Sequence, residues 1–188
     1  MVLALVGGVA HAEAPAVADE LVVPADVAQM PIRKIVPVQQ PVAPDIAALG
    51  KQLAGKWTCK GVAIGLDGSS KPVTTKLETK LVLDDAWIQS TGVATTDGRD
   101  LKFTTFVTYD AIAKEWTTVV LTSLPGRAIS TSLGEQNGTW MWTGSQIVAG
   151  AALEVRQVQQ FSKTGAKFWT DAKLGGKWQK VSESTCAK

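Results

Sequence analysis

Between Lys56 and the C-terminus, apolar and polar residues alternate with a period of two, and turn-forming residues interrupt the alternation roughly every ten residues. Successive side chains of a strand point to opposite faces, so this period marks strands with one buried face. The clearest run is 73–83. Val73, Thr75, Leu77, Thr79, Leu81 and Leu83 share one face, and Lys76, Glu78 and Lys80 share the other. Further strands are predicted over 56–65, 87–96, 101–109, 116–124, 127–133, 139–143, 153–162, 166–174 and 177–186. Asp67-Gly68, Asp97-Gly98, Pro125-Gly126, Asn137-Gly138 and Gly175-Gly176 supply turns between them.

Ahead of the strands the pattern differs. Ile46, Leu49 and Leu53 recur at helical spacing, which predicts one short helix over 45–54, with Asp45 as its cap and Gly55 ending it. Residues 13–44 carry Pro15, Pro24, Pro31, Pro37, Pro41 and Pro44, a spacing that breaks helices and favours extended chain. This segment reads as an arm or linker. Residues 1–12 begin with an apolar run and end in Ala10-His11-Ala12, small residues at the two positions a signal peptidase reads. They are expected to be a signal peptide with Glu13 as the mature N-terminus; the alternative is a short helix packed on the domain. The run is too short to span a bilayer, and no other stretch is long enough.

About ten short strands in a meander, with a single helix, predict an all-β fold: a closed up-and-down antiparallel barrel formed by residues 45–188. Closure removes the exposed sheet edges that a meander otherwise leaves. Cys59 falls in the first predicted strand and Cys186 in the last, which closure makes neighbours. A disulfide between them is expected in an oxidising compartment, periplasmic or extracellular. A sandwich would also bring the chain ends together.

Several motifs then follow in order. Leu53-Ala54-Gly55-Lys56-Trp57 resembles the L-x-G-x-W opening of lipocalin-like barrels. Asp85-Ala86-Trp87, Tyr109-Asp110, Glu115-Trp116 and the ending Lys180-Val181-Ser182-Glu183-Ser184-Thr185 resemble the progression of the DUF1579 group, bacterial proteins of unknown function. The resemblance covers roughly residues 50–187. It implies a calycin-type barrel with a central cavity and implies no activity. The haem-binding nitrobindin barrels have a related shape but need an iron-ligating histidine, and here this sequence departs from them.

Chemistry is constrained mainly by what the sequence lacks. The one histidine is His11, inside the expected signal peptide. A mature chain without histidine has no Ser-His-Asp triad, no His-ligated zinc and no His-ligated haem. No metal or cofactor is indicated. The net charge of +2, with no long basic block, gives no reason to expect nucleic acid. Asp84, Asp85, Asp97, Asp100 and Asp110 sit at turns, where aspartate is ordinary.

Aromatic and inward polar residues remain as candidates. Seven tryptophans occur in the chain, and core packing accounts for most of them. Trp57 is expected to plug a barrel end. Trp140 and Trp142 share a face and Met141 takes the other, which suggests that the N-terminal segment or a partner covers the outside there. Shared parity places Gln89 and Thr91 with Trp87 and Val93, Thr118 and Thr122 with Trp116 and Val120, and Gln157 and Gln159 with Leu153, Val155 and Phe161. Buried polar groups need partners, so an inner row of them fits a hydrated cavity or a polar ligand; mutual pairing with trapped water is the other reading. The candidate cavity residues are Trp87, Gln89, Tyr109, Trp116, Thr118, Trp140, Trp142, Gln157 and Gln159. The leading expectation is an exported protein holding a small, partly apolar ligand. The alternatives are an interaction or inhibitor protein that engages a protein partner through residues 13–44, and a histidine-free barrel enzyme.

Overall fold

Period-two patterning gives strands throughout, and the barrel they form is closed. A computed structural model describes residues 43–65, 67–148, 151–162 and 164–188. Helix α1 (Pro44–Leu53) comes first. The strands are β1 (Gly55–Ile64), β2 (Ser70–Val82), β3 (Trp87–Thr96), β4 (Arg99–Asp110), β5 (Glu115–Thr122), β6 (Gly126–Ser132), β7 (Glu135–Gln136), β8 (Thr139–Val148), β9 (Ala151–Phe161), β10 (Gly165–Leu174) and β11 (Lys177–Ala187). Each long strand pairs antiparallel with its neighbours in sequence, β6 pairs with β8, and β1 pairs with β11. The ten long strands therefore make one closed ring, and two-residue β7 only extends the β6–β8 hairpin against Trp140 and Thr139. The expected signal peptide, 1–12, and the arm up to residue 42 lie outside the described residues.

Cys59 and Cys186 stand directly opposite each other in the β1–β11 ladder and are joined by a disulfide. The bond spans 127 residues of sequence. A loop of that length lowers the entropy of the unfolded chain by an amount on the order of 5 kcal/mol.

Four sequence expectations need correction. Helix α1 begins at Pro44, with Ala43 in the cap position and no side-chain cap bond. Asp45 sits in the first turn instead, since proline suits the first helical position. Leu83 does not continue the inner face of β2. It leaves the strand at φ 54° and is 68% exposed, because Leu83, Asp84 and Asp85 together form a left-handed turn. The seventh predicted strand runs to Val148 rather than stopping at 143. Strand β3 has the opposite parity from that expected: Ile88, Ala94 and Thr96 are buried, while Trp87, Gln89, Thr91 and Val93 face outward.

The remaining inner faces follow the pattern. Thr75 and Thr79 are buried on β2, and Leu101 and Phe103 on β4. Helix α1 caps one barrel end by burying Ile46 and Leu49 against Ile88, Trp116, Trp140 and Trp142. Toward the other end, Ala94, Leu101 and Phe103 pack together with Val73, Leu77 and Val120. Val155, Ala172 and Val181 form a separate cluster with Leu153 and Leu174.

Candidate functional site

The middle of the barrel is not filled. An interior cavity of about 100 Å³ lies beneath helix α1. Away from the cavity, Gly61 faces Ser184 across β1–β11, and Gly144 faces Ser130 across β6–β8. The helix contributes Leu49 and Leu53 as a lid. Trp57 forms part of the wall and fastens that lid: its indole Nε1–H donates to the Leu53 carbonyl at 2.7 Å. Lys188 at the chain end adds a second tie, donating from Nζ to the Gln52 carbonyl at 2.9 Å while lying 5.0 Å from the Trp57 ring centre.

The lining is aromatic and hydroxyl-bearing. Phe103, Phe161, Phe168, Trp140 and Trp142 supply flat apolar surface. Thr79 and Ser90 meet across β2–β3, oxygen to oxygen, at 2.8 Å. Gln159 donates from Nε2 to Oε1 of Gln157 at 3.4 Å. Among the described residues, no Asp, Glu, Lys, Arg or His lines the cavity. Three lining residues each carry a polar atom without a protein partner, and all three atoms are closed off by packing: Thr105 Oγ1 and the indole nitrogens of Trp140 and Trp142. Trp140 and Trp142 are 5% and 3% exposed and lie nearly parallel, with ring centres 5.7 Å apart. The stack continues edge-on to Trp116, 5.0 Å from Trp140, and on to Tyr109.

Of the nine candidate residues, five line the cavity: Thr118, Trp140, Trp142, Gln157 and Gln159. Tyr109 and Trp116 belong to the aromatic cluster beside it. Trp87 and Gln89 are placed outside. Trp87 packs edge-on against Phe106 of β4, with ring centres 6.3 Å apart, on the outer wall. The reversed parity of β3 is the reason, and it also hid Ser90, a lining residue that sequence reasoning missed. The register Thr79↔Ser90 and Leu81↔Ile88 carries the signal, since β2 has an unambiguous inner face. Thr105 and the lid residues Leu49 and Leu53 were also missed as cavity residues. Outside the wall, Met141 is 52% exposed, so no described segment covers it.

Two exposed carboxylates have lowered pKa values. Hydrogen bonds from the Ala113 and Ile112 amides lower the pKa of Asp110, and a hydrogen bond from Lys180 lowers that of Glu183. Neither carboxylate lines the cavity. Among the described residues, no three His, Cys, Asp or Glu side chains gather as a metal site would require.

Comparison with known proteins adds shape. The chain superposes on Rv2717c from M. tuberculosis with a TM-score of 0.63 and 12% identity, over 79% of this chain and 99% of that one. The S-type phycobiliprotein lyase CPES from Guillardia theta matches with a TM-score of 0.56 and 12% identity, over 76% and 92% of the two chains. What these chains share is the barrel fold. No protein-family model and no curated protein sequence matches this chain, so the DUF1579 motifs stand as a resemblance. At such identities the shared barrel brings no residue roles with it.

Proposed function

We propose that this protein is an exported carrier or sensor that holds one small, partly apolar molecule inside the barrel under the helix. The observation that carries the reading is the cavity itself, walled by aromatic rings together with the hydroxyl- and amide-bearing residues Thr79, Ser90, Thr118, Gln157 and Gln159. A partly apolar guest that fills this space takes its own apolar surface out of water. The Cys59–Cys186 disulfide supports an oxidising destination, in keeping with the signal peptide read at 1–12. The ordered motifs support kinship with the DUF1579 group. The residues assigned to the ligand are Thr118, Trp140, Trp142, Gln157 and Gln159, with Thr79, Ser90 and Thr105 added.

The test is mass spectrometry of protein purified from an exporting bacterium. A native mass that exceeds the denatured mass by one discrete small molecule is expected, on a polypeptide that starts at Glu13. A bare chain whose tryptophan emission ignores a panel of small apolar probes would sink the reading.

A second reading, a protein-interaction role, also has an observation behind it. Phe106, Val119 and Ile129 lie side by side on the outer wall across β4, β5 and β6. Ile129 and neighbouring Leu121 remain 42% and 47% exposed, and a contiguous apolar stripe of this kind suits a partner. Such a protein partner would be engaged together with the arm, 13–44. Deleting residues 13–41 should then abolish partner capture and leave the barrel folded.

A further inference from the structure

The disulfide borders the same cavity as the proposed ligand, and its placement carries an inference that rests on the ligand-binding reading above. We propose that the Cys59–Cys186 disulfide is the latch of the ligand chamber: a bound guest shields it from thiols, and its reduction by a small dithiol frees the helical lid and releases the guest.

Three observations lead there. First, the disulfide faces inward. Along β1, Trp57 and Cys59 are buried while Thr58 and Lys60 are exposed, and on β11 Cys186 is buried between exposed Thr185 and Ala187. Both cysteines border the cavity and pack with Trp57, Ala166, Phe161 and Phe168. They are 1% and 3% exposed, so a thiolate reaches a sulfur only after something opens. Second, the lid rests on the disulfide. Leu53 of α1 packs against the cluster that contains both cysteines, and it also lines the cavity. Lifting this end of α1 uncovers the cavity and the disulfide together. Third, both ties of the lid are anchored beside the crosslink. Trp57, two residues before Cys59, donates to the Leu53 carbonyl, and Lys188, two residues after Cys186, donates to the Gln52 carbonyl. Beyond Cys59↔Cys186 the β1–β11 ladder has a single further pair, Thr58↔Ala187. Without the crosslink this last pair is free to fray, and Lys188 leaves the helix with it.

The chemistry is thiol–disulfide exchange. A thiolate of the dithiol attacks one sulfur and expels the other as a thiolate, leaving a mixed disulfide. The second thiol of the reductant resolves it. Two protons pass from the dithiol to the cysteines, and the products are two cysteine thiols and the cyclic disulfide of the reductant.

The test times reduction by dithiothreitol on the oxidised protein, arm included, by alkylating the freed thiols and weighing the product. Xenon serves as the guest, since apolar cavities take it, and xenon NMR reads its occupancy and exchange. Filling about four-fifths of the sites should slow reduction about fivefold, because only the empty form opens to the thiol. Without xenon, Trp57→Phe should speed reduction about fivefold, the factor for one lost hydrogen bond. Gly144→Ala, which destabilises the barrel away from the lid, should leave the rate unchanged. Once reduced, the protein should release xenon faster. Xenon that enters without slowing reduction overturns the shared chamber and leaves the cavity reading in place. Equal acceleration by Gly144→Ala and Trp57→Phe overturns it too, since the thiol then arrives by unfolding of the whole barrel. A reduced, folded protein that holds xenon as long as the oxidised one overturns the latch. If reduction unfolds the protein, the three rates measured from the oxidised state still decide. Exclusion of xenon counts against the ligand-binding reading itself, and the latch falls with it.

Discussion

Two places in the barrel wall use the same steric device under different chain constraints. At the β1–β11 seam, Gly61 stands opposite Ser184; in the β6–β8 hairpin, Gly144 stands opposite Ser130. A Cβ built on Gly61 would collide with the Glu183 carbonyl and the Ser184 side chain, and one on Gly144 with the Ile129 carbonyl and the backbone of Ser130. Both glycines let two strands approach closely and bend, as barrel closure demands. What differs is how the strands are brought together. The β6–β8 pair is local, joined through the Asn137-Gly138 turn, whose residues sit at φ 53° and 77°. The β1–β11 pair joins the two ends of the folded chain, and its closure entropy is correspondingly larger. The disulfide is placed on the nonlocal seam, where a crosslink removes the most unfolded-state freedom.

Removing that crosslink should have the largest effect. A Cys59→Ala/Cys186→Ala variant is expected to lose about 2–5 kcal/mol of stability, read from urea unfolding. Amide exchange sharpens the contrast: β1 and β11 should lose protection first, and β6 and β8 should keep theirs. Uniform loss around the ring would mean that the two pairings do not differ as argued.

The glycines come next. Gly61→Ala and Gly144→Ala should each cost about 1–3 kcal/mol through overpacking against backbone. Gly61→Ala should be the worse of the two in the oxidised protein. The disulfide two residues away holds β1 against β11, whereas β6 and β8 can splay toward the interrupted stretch at Ser132–Gly134. In a background lacking the disulfide the two costs should converge. A larger cost for Gly144→Ala in the oxidised protein would contradict this account.

These seams also show where sequence reading succeeds. The Cys59–Cys186 pairing was legible because closure of a meander forces the first and last strands together. The faces of β2 were legible because Lys76, Glu78 and Lys80 mark one side as solvated. Strand β3 was misread because both of its faces carry apolar residues, Trp87 and Val93 on one, Ile88 and Ala94 on the other. Its parity is fixed by register with β2 through the left-handed Leu83–Asp85 turn, and composition does not report that register. The error carried Trp87 and Gln89 into the candidate site and left Ser90 out. The cavity lid was invisible for a different reason. The spacing of Ile46, Leu49 and Leu53 shows that α1 buries a face, but which part of the barrel receives it is a tertiary fact.

The lid is fastened on the seam side, and a smaller effect tests that. Trp57→Phe keeps most of the ring's packing and removes the Nε1–H bond to the Leu53 carbonyl, a loss of about 1 kcal/mol. Amides of 44–53 should exchange faster while those of β8 are unchanged. If β8 and the helix change together, α1 depends on the whole aromatic cluster rather than on this tie.

The smallest predicted effect concerns charge at the same seam. Glu183 lies opposite Val62 in the β1–β11 ladder. Its carboxylate accepts a hydrogen bond from Lys180 at 2.8 Å, and this bond, with the charges of Lys180 and Lys167, holds its pKa below the ordinary value of 4.5. A depressed folded-state pKa stabilises the protein above the unfolded value, and the contribution fades as pH falls through the folded pKa. Wild type should therefore be slightly more stable than a Glu183→Gln variant at neutral pH, and the difference should vanish below about pH 4. Because the pair is exposed, added salt should shrink the neutral-pH difference as well. The β6–β8 hairpin has no counterpart: across it Arg127 stands opposite Ile147. An Arg127→Gln variant should accordingly track wild type through the same acid range. A matching acid-dependent loss in that variant would show that the pH response belongs to the net charge of the barrel and not to the seam.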